Sequence, residues 1–284
     1  MKIELTLFQG RVGDHNDFAI PGARALASEI GRTTGLVPTR IGQPAPALNT
    51  SWDVELEAAR PDLADLQDRY ERIYAAGNRA ISATSRCAAS IATLPSVARH
   101  HPDACIVWFD AHADLNTPES TQSGYLGGLA LSAPMGLWNS GFGAGLKPGN
   151  LILVGQRDLD PFEAQLIREK AICHIPPGEG IADRLHAAIG GRPVYVHIDC
   201  DVLNPGIVPT DYVHAHGLSL DQLHGACAAI ARNDVIGVEV AEFQSSSNEG
   251  SPPVSPVHLV QALMPLLQGI TGAADGRPDT DSCP

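Results

Sequence analysis

Short apolar runs separated by amphipathic stretches set the rhythm of this chain. Runs at residues 2–8, 36–41, 80–83, 104–109, 150–155, 171–175, 193–198 and 235–240 are rich in the β-branched and aromatic residues that buried strands favour. Helical periodicity fills the intervals Pro21–Thr33, Asp62–Ala76, Ser90–His100, Pro161–Lys170, Ile181–Ile189 and Ser219–Ala231, and a last helix is expected over 257–268. Strands alternating with helices predict an α/β fold of three layers, α/β/α, with a central parallel sheet of about eight strands. Two helix starts are marked locally. Asp160 precedes a first-turn Pro161, and Ser219-Leu220-Asp221-Gln222 reads as a capping box.

Two connections are too long to be simple turns. One runs from Leu115 to Gly149 and holds eight glycines; the other spans Asn204–Gly217. Long loops beside strand ends are usually functional. Residues 245–256 read as a surface connection and 271–284 as a flexible tail. No internal repeat and no linker divides the chain, so residues 1–284 are expected to form one domain.

Composition narrows the function. With 19 Lys and Arg against 32 Asp and Glu, the net charge of −13 and the lack of any basic run argue against nucleic acid or an anionic membrane as partner. No apolar stretch approaches the roughly 20 residues that span a bilayer. The alternating N-terminus lacks a signal-peptide pattern, and six scattered cysteines read as reduced thiols, which places the chain in the cytoplasm.

Two acidic clusters carry the chemistry. Asp110-Ala111-His112-Ala113-Asp114 follows the apolar run ending at Phe109, and Asp199-Cys200-Asp201 follows the run ending at Ile198. Carboxylates at the carboxyl ends of parallel strands sit where open α/β sheets build their sites. In extended chain, Asp110, His112 and Asp114 would share one side, as would Asp199 and Asp201. A single Asp-x-Asp is weak evidence, since such pairs often cap helices or sit in turns. Both clusters together are costly to hold at one sheet edge without cations. Oxygen donors with one imidazole suit a hard divalent ion such as Mn²⁺.

At Phe109–Pro118 and His197–Pro205 the chain resembles the arginase/agmatinase (ureohydrolase) family, the likeness running from about residue 80 to 268. The resemblance implies the three-layer arginase sheet and a pair of Mn²⁺ ions. It assigns Asp110, His112, Asp114, Asp199 and Asp201 as metal ligands, with Asp114 and Asp199 bridging and Asp114 counted as catalytic. Asn116, Thr121 and Ser123 match the loop that grips the substrate's α-carboxylate, and Asp160, with Glu163 beside it, matches the α-ammonium contact. Glu242 matches the catalytic glutamate that faces the guanidinium. The α-amino-acid grip favours arginine-like substrates over agmatine. His214 and His216 read as surface residues of a loop, and His100 and His101 as a helix end. The short polar tail does not look like an arginase trimer arm and is compatible with a monomer.

Two positions depart from the family pattern. Cys87, in Thr84-Ser85-Arg86-Cys87, stands where a ligand histidine is usual; it is expected to ligate, though a buried strand-end cysteine is the plain alternative. Gly127 replaces a histidine thought to carry protons to the leaving amine. Both departures match a subgroup, that of D-cycloserine biosynthesis, which hydrolyses Nω-hydroxy-L-arginine to hydroxyurea and L-ornithine. Gly124-Tyr125-Leu126-Gly127-Gly128 and Gly136-Leu137-Trp138-Asn139 extend that likeness. Alternatives are an ordinary arginase, a ureohydrolase for another guanidino acid, or a catalytically silent binding protein.

Overall fold

The apolar runs form eight strands: β1 (Ile3–Phe8), β2 (Thr39–Ile41), β3 (Arg79–Ala83), β4 (Cys105–Phe109), β5 (Leu151–Val154), β6 (Cys173–Ile175), β7 (Val194–Asp199) and β8 (Val235–Ala241). In the computed structural model, which describes residues 1–272, all eight join one sheet in the order β2-β1-β3-β8-β7-β4-β5-β6. Every neighbouring pair is parallel. The helices are α1 (Ala19–Thr34), α2 (Trp52–Ala75), α3 (Ser90–His100), α4 (Pro161–Glu169), α5 (Ile181–Ile189), α6 (Leu220–Ile230) and α7 (Val257–Gly272). Among the described residues the five cysteines are free, and no helix is long and apolar enough to cross a membrane.

Strand alternation sorts the core into two faces. Cys105, Val107 and Phe109 of β4 pack with α1, α5, α6 and α7, whereas Ile106 and Trp108 face α2, α3 and α4. The expected three layers follow from this. The 115–149 loop joins the second face, burying Leu126, Leu131 and Phe142 there. It is therefore packed structure rather than a loose connection.

Several boundaries differ from expectation, each for a local reason. The strands β2 and β6 are shorter than the runs 36–41 and 171–175 because they lie at the sheet edges, where only one side is paired. The helix α2 begins at Trp52 and continues through Pro61, which the sequence reading had placed before the helix. Proline lacks the N–H and crowds the preceding turn. Here Leu56, Ala59, Leu63, Leu66 and Tyr70 form a continuous buried face that outweighs this cost. The Trp52 N–H also donates to the Gly124 carbonyl at 2.8 Å, tying the helix start to the long loop. The helix α7 extends through Thr271 and Gly272, so the tail expected from 271 does not start there. Residues 273–284 lie outside the described residues.

Pro61 is exposed while sitting inside α2, so its removal should sacrifice no packing. Pro61→Ala is expected to stabilise the protein by about 1–2 kcal/mol, the interior penalty less the unfolded-state entropy that proline removes. Thermal unfolding checks this: a higher Tm supports the continuous helix, and a lower one would mean that Pro61 starts it.

Candidate active site

Four strands that are neighbours at the sheet centre, β3, β8, β7 and β4, end at one crevice. Cys87 opens a short 3-10 turn that leads from β3 into α3. Asp110 follows β4, Asp199 is the last residue of β7, Asp201 lies in the turn after it, and Glu242 follows β8. All five side chains are buried or nearly so.

The expected groups converge, but not through extended backbone. After Phe109 the chain turns, and Asp114 adopts a left-handed φ of 53°. Such strain in a non-glycine residue is characteristic of functional sites. Glu242 shows it as well, with φ of 62°. The turn is held by Asp201, whose Oδ1 accepts the Ala111 N–H at 2.9 Å, and by Asp110, whose Oδ1 accepts the His112 N–H at 2.7 Å. Ala111 and Ala113 are wholly buried, where a larger side chain would disturb the packing. Donor atoms of Cys87, Asp110 and Asp114 lie within 4.8 Å of one another, as do those of Asp110, His112 and Asp201 and those of Cys87, Asp199 and Glu242. Asp110 is common to two of these groups and Asp114 to one. Asp110 and Cys87 are thus the donors that link neighbouring groups, while Asp114 and Asp199, expected to bridge, each belong to one.

Beneath the donors lies a rigid polar support. The Trp108 indole donates to Asp110 Oδ2 at 2.9 Å and stacks on His197 with centroids 3.6 Å apart. His197 Nδ1 lies 2.9 Å from Glu239 Oε1, and its Nε2 lies 3.1 Å from the Cys87 sulfur. The Cys87 thiol also points at Asp199 Oδ2, 3.1 Å away.

Burial dominates the electrostatics. It pushes the proton affinities of Asp110, Asp114 and Asp199 up, and repulsion between neighbouring carboxylates adds to this. Burial also raises the Cys87 thiol, with Asp199 reinforcing it. Asp201 alone falls below the usual range, because hydrogen bonding to His112 overcomes the effect of burial. His112 resists protonation through burial, yet Asp110 and Asp201, 3.2 and 3.1 Å from its Nδ1, hold its pKa high. A buried crowd of acids with one imidazole fits divalent cations, whose charge would relieve it.

Asn116, Ser123, Asp160, Glu163 and Glu242 line the same cavity as these donors. Asn116 Nδ2 donates to Asp160 Oδ2 at 2.7 Å, so the two groups expected at opposite ends of an amino acid sit side by side. Two expectations need correction. Thr121 does not line the cavity, because its hydroxyl accepts the Gly124 N–H and closes a turn. Both oxygens of Glu163 accept backbone N–H groups, from Leu115 at 2.9 Å and Asp160 at 3.0 Å. Glu163 thus caps α4 and braces the loop instead of facing an ammonium; burial raises its pKa to about 7.

Some residues in or behind the cavity wall were given no role by the sequence reading. Arg86 is fully buried and its Nη1 donates to Glu242 Oε2 at 2.8 Å. A Cβ at Gly127 would lie 2.3 Å from Cε1 of Tyr125, so the Tyr125 ring fills the space where a histidine side chain would start. Asp211 and Tyr212 reach the cavity from the 204–217 loop, and His214 Nε2 lies 3.1 Å from His112 Nε2. Arg86 offered a signal as a charged residue directly after a buried strand, and Tyr125 and Gly127 only as part of a family-like stretch. The others depend on loop paths that no periodicity encodes.

Comparison with known proteins agrees with this architecture. A Bacillus cereus arginase structure superposes with a TM-score of 0.80 at 22% identity, covering 94% of this chain and 97% of that one. The proclavaminate amidino hydrolase of Streptomyces clavuligerus gives 0.67 at 17% identity, with 94% and 91% covered. In sequence, the N(omega)-hydroxy-L-arginine amidinohydrolase of Streptomyces lavendulae is 40% identical over 96% of this chain and 97% of its own length. Residues 13–263 match the model of the arginase family. With the acidic clusters at the expected strand ends, the chain belongs to the arginase family.

Proposed function

We propose that this chain hydrolyses the guanidino group of Nω-hydroxy-L-arginine, giving hydroxyurea and L-ornithine, at a site that binds two Mn²⁺ ions. The observation that carries this reading is Gly127 beneath the Tyr125 ring, in a cavity that keeps the ligand set and the Asn116–Asp160 pair. The relative named for that activity, 40% identical over nearly its full length, supports it. The D-cycloserine context and a cytoplasmic setting belong to the same reading.

Cys87, Asp110 and Asp114 would hold one ion and Asp110, His112 and Asp201 the other, with Asp199 beside Cys87 as a further donor. When bound, such ions lower the pKa of water and offset charge that develops on the reacting group. Carboxylates and imidazole suit Mn²⁺, whereas the Cys87 sulfur is a softer donor. Asn116, Ser123 and Asp160 orient the amino-acid end, and Glu242 faces the guanidino carbon. Expulsion of an amine needs a proton. Glycine at 127 supplies none, which disfavours a strongly basic guanidinium. The N-hydroxyguanidine is less basic, so its cleavage depends less on that group.

Mn²⁺-loaded protein offered L-arginine and Nω-hydroxy-L-arginine side by side should release ornithine at least about a hundredfold faster, by kcat/KM, from the hydroxylated substrate. Equal or better turnover of arginine would make the chain an arginase. Gly127→His alone should lower activity on both substrates, since its Cβ meets the Tyr125 ring; a gain in arginine turnover would refute that steric reading. Cys87→His should retain more Mn²⁺ after dialysis, measured by metal analysis, and unchanged retention would mean that Cys87 is not a ligand.

A further inference from the structure

Glu242 is not free to grip a cation. Its Oε2 accepts from Arg86 Nη1 at 2.8 Å, while its Oε1 accepts the Cys87 N–H at 3.0 Å and the Tyr125 hydroxyl at 3.3 Å. Arg86 is itself fixed. Its Nε lies 3.1 Å from Asp14 Oδ1, and its Nη1 is shared with Asp211 Oδ2 at 3.1 Å. Those carboxylates are anchored in turn, Asp14 by the Val12 N–H and Asp211 by His15 and Asn16. The guanidinium is wholly buried, with partners from the β1–α1 connection, the 204–217 loop and the end of β8.

Stability alone gives a poor account of this cluster. Buried ion pairs are often no more stabilising than apolar groups of similar volume. Arg86 Nη2, moreover, finds no hydrogen-bond partner among the described residues. The consequence for substrate is direct. A carboxylate recognises a guanidinium best through two parallel N–H···O bonds and opposite charge. Here both oxygens are engaged, and a second guanidinium would meet the fixed charge of Arg86. An N-hydroxyguanidine, being less basic, is more readily bound as its neutral form, which needs only one acceptor direction and no counter-charge.

We propose that Arg86 determines specificity: by holding Glu242 in a buried ion pair, it sets the site against the permanently cationic guanidinium of L-arginine and in favour of the less basic N-hydroxyguanidine, which gives up its proton more readily. Arg86 acts through Glu242 and is a positioning residue. This inference rests on the reading that Nω-hydroxy-L-arginine is the substrate.

The test uses the Mn²⁺-loaded enzyme and reads the Ki of L-arginine as a competitor, divided by the KM for Nω-hydroxy-L-arginine. This ratio is measurable even where arginine is not cleaved. Arg86→Met, which removes the charge at similar length, should lower the ratio about tenfold. Asp211→Asn, which leaves Arg86 less compensated, should raise it. Arg86→Lys should keep it near the wild-type value. General damage to the fold would weaken both ligands and could not move the ratio in opposite directions. Should Arg86→Met fail to fold, Asp211→Asn decides alone. An unchanged ratio in the folded variants overturns the inference while leaving the substrate reading intact. Wild-type protein inert towards the hydroxylated substrate would overturn both.

Discussion

The structure turns on a cluster of largely buried acids at the floor of one cavity. Asp110, Asp114, Asp199, Asp201 and Glu242 are delivered by three adjacent strand ends, with Cys87 added from a fourth. Carboxylates this close and this dry raise one another's proton affinity and would destabilise the centre of the sheet if all were ionised. Cations resolve the conflict, and much of the surrounding architecture serves to hold the donors in place for them. The left-handed backbone at Asp114 and Glu242 aims those side chains. The buried alanines leave room for the turn, and the Trp108–His197 stack fixes Asp110 and Cys87 from below.

How the acids are divided decides what the cavity can bind. One group gathers around His112, whose imidazole is drawn to Asp110 and Asp201. Another gathers around Arg86, a permanent cation that shares itself among Asp14, Asp211 and Glu242. The site thus carries its own guanidinium against Glu242. Tyr125 completes the change, donating to Glu242 and covering Gly127. Arg86 and Tyr125 both donate to Glu242, and Tyr125 also occupies the space that a side chain at 127 would need.

The parallel sheet, the gathering of the two acidic clusters at one sheet edge and the family were legible in the chain because strand periodicity and the clusters are local signals. Asp110 and Asp199 follow directly from apolar runs, and Ser219–Gln222 forms the expected capping box. What stayed hidden depends on tertiary contact. Extended geometry suggested how Asp110, His112 and Asp114 meet, whereas a turn with positive φ brings them together. Glu163 looked like a substrate contact because sequence shows a carboxylate and not the two amides that occupy it. The start of α2 at Trp52 was missed because the buried face that carries the helix through Pro61 is visible only once the core is assembled.

The central claim is that the buried acids form a binuclear cation site. Titration of metal-stripped protein with Mn²⁺, following heat and Tm together, tests it most directly. The account predicts saturation at two equivalents and a Tm that climbs as both sites fill, since ligand bound only to the folded state stabilises it. Asp110→Asn, at the carboxylate common to two donor groups, should weaken both steps. Saturation at one equivalent, or binding that leaves Tm unmoved, would contradict the account.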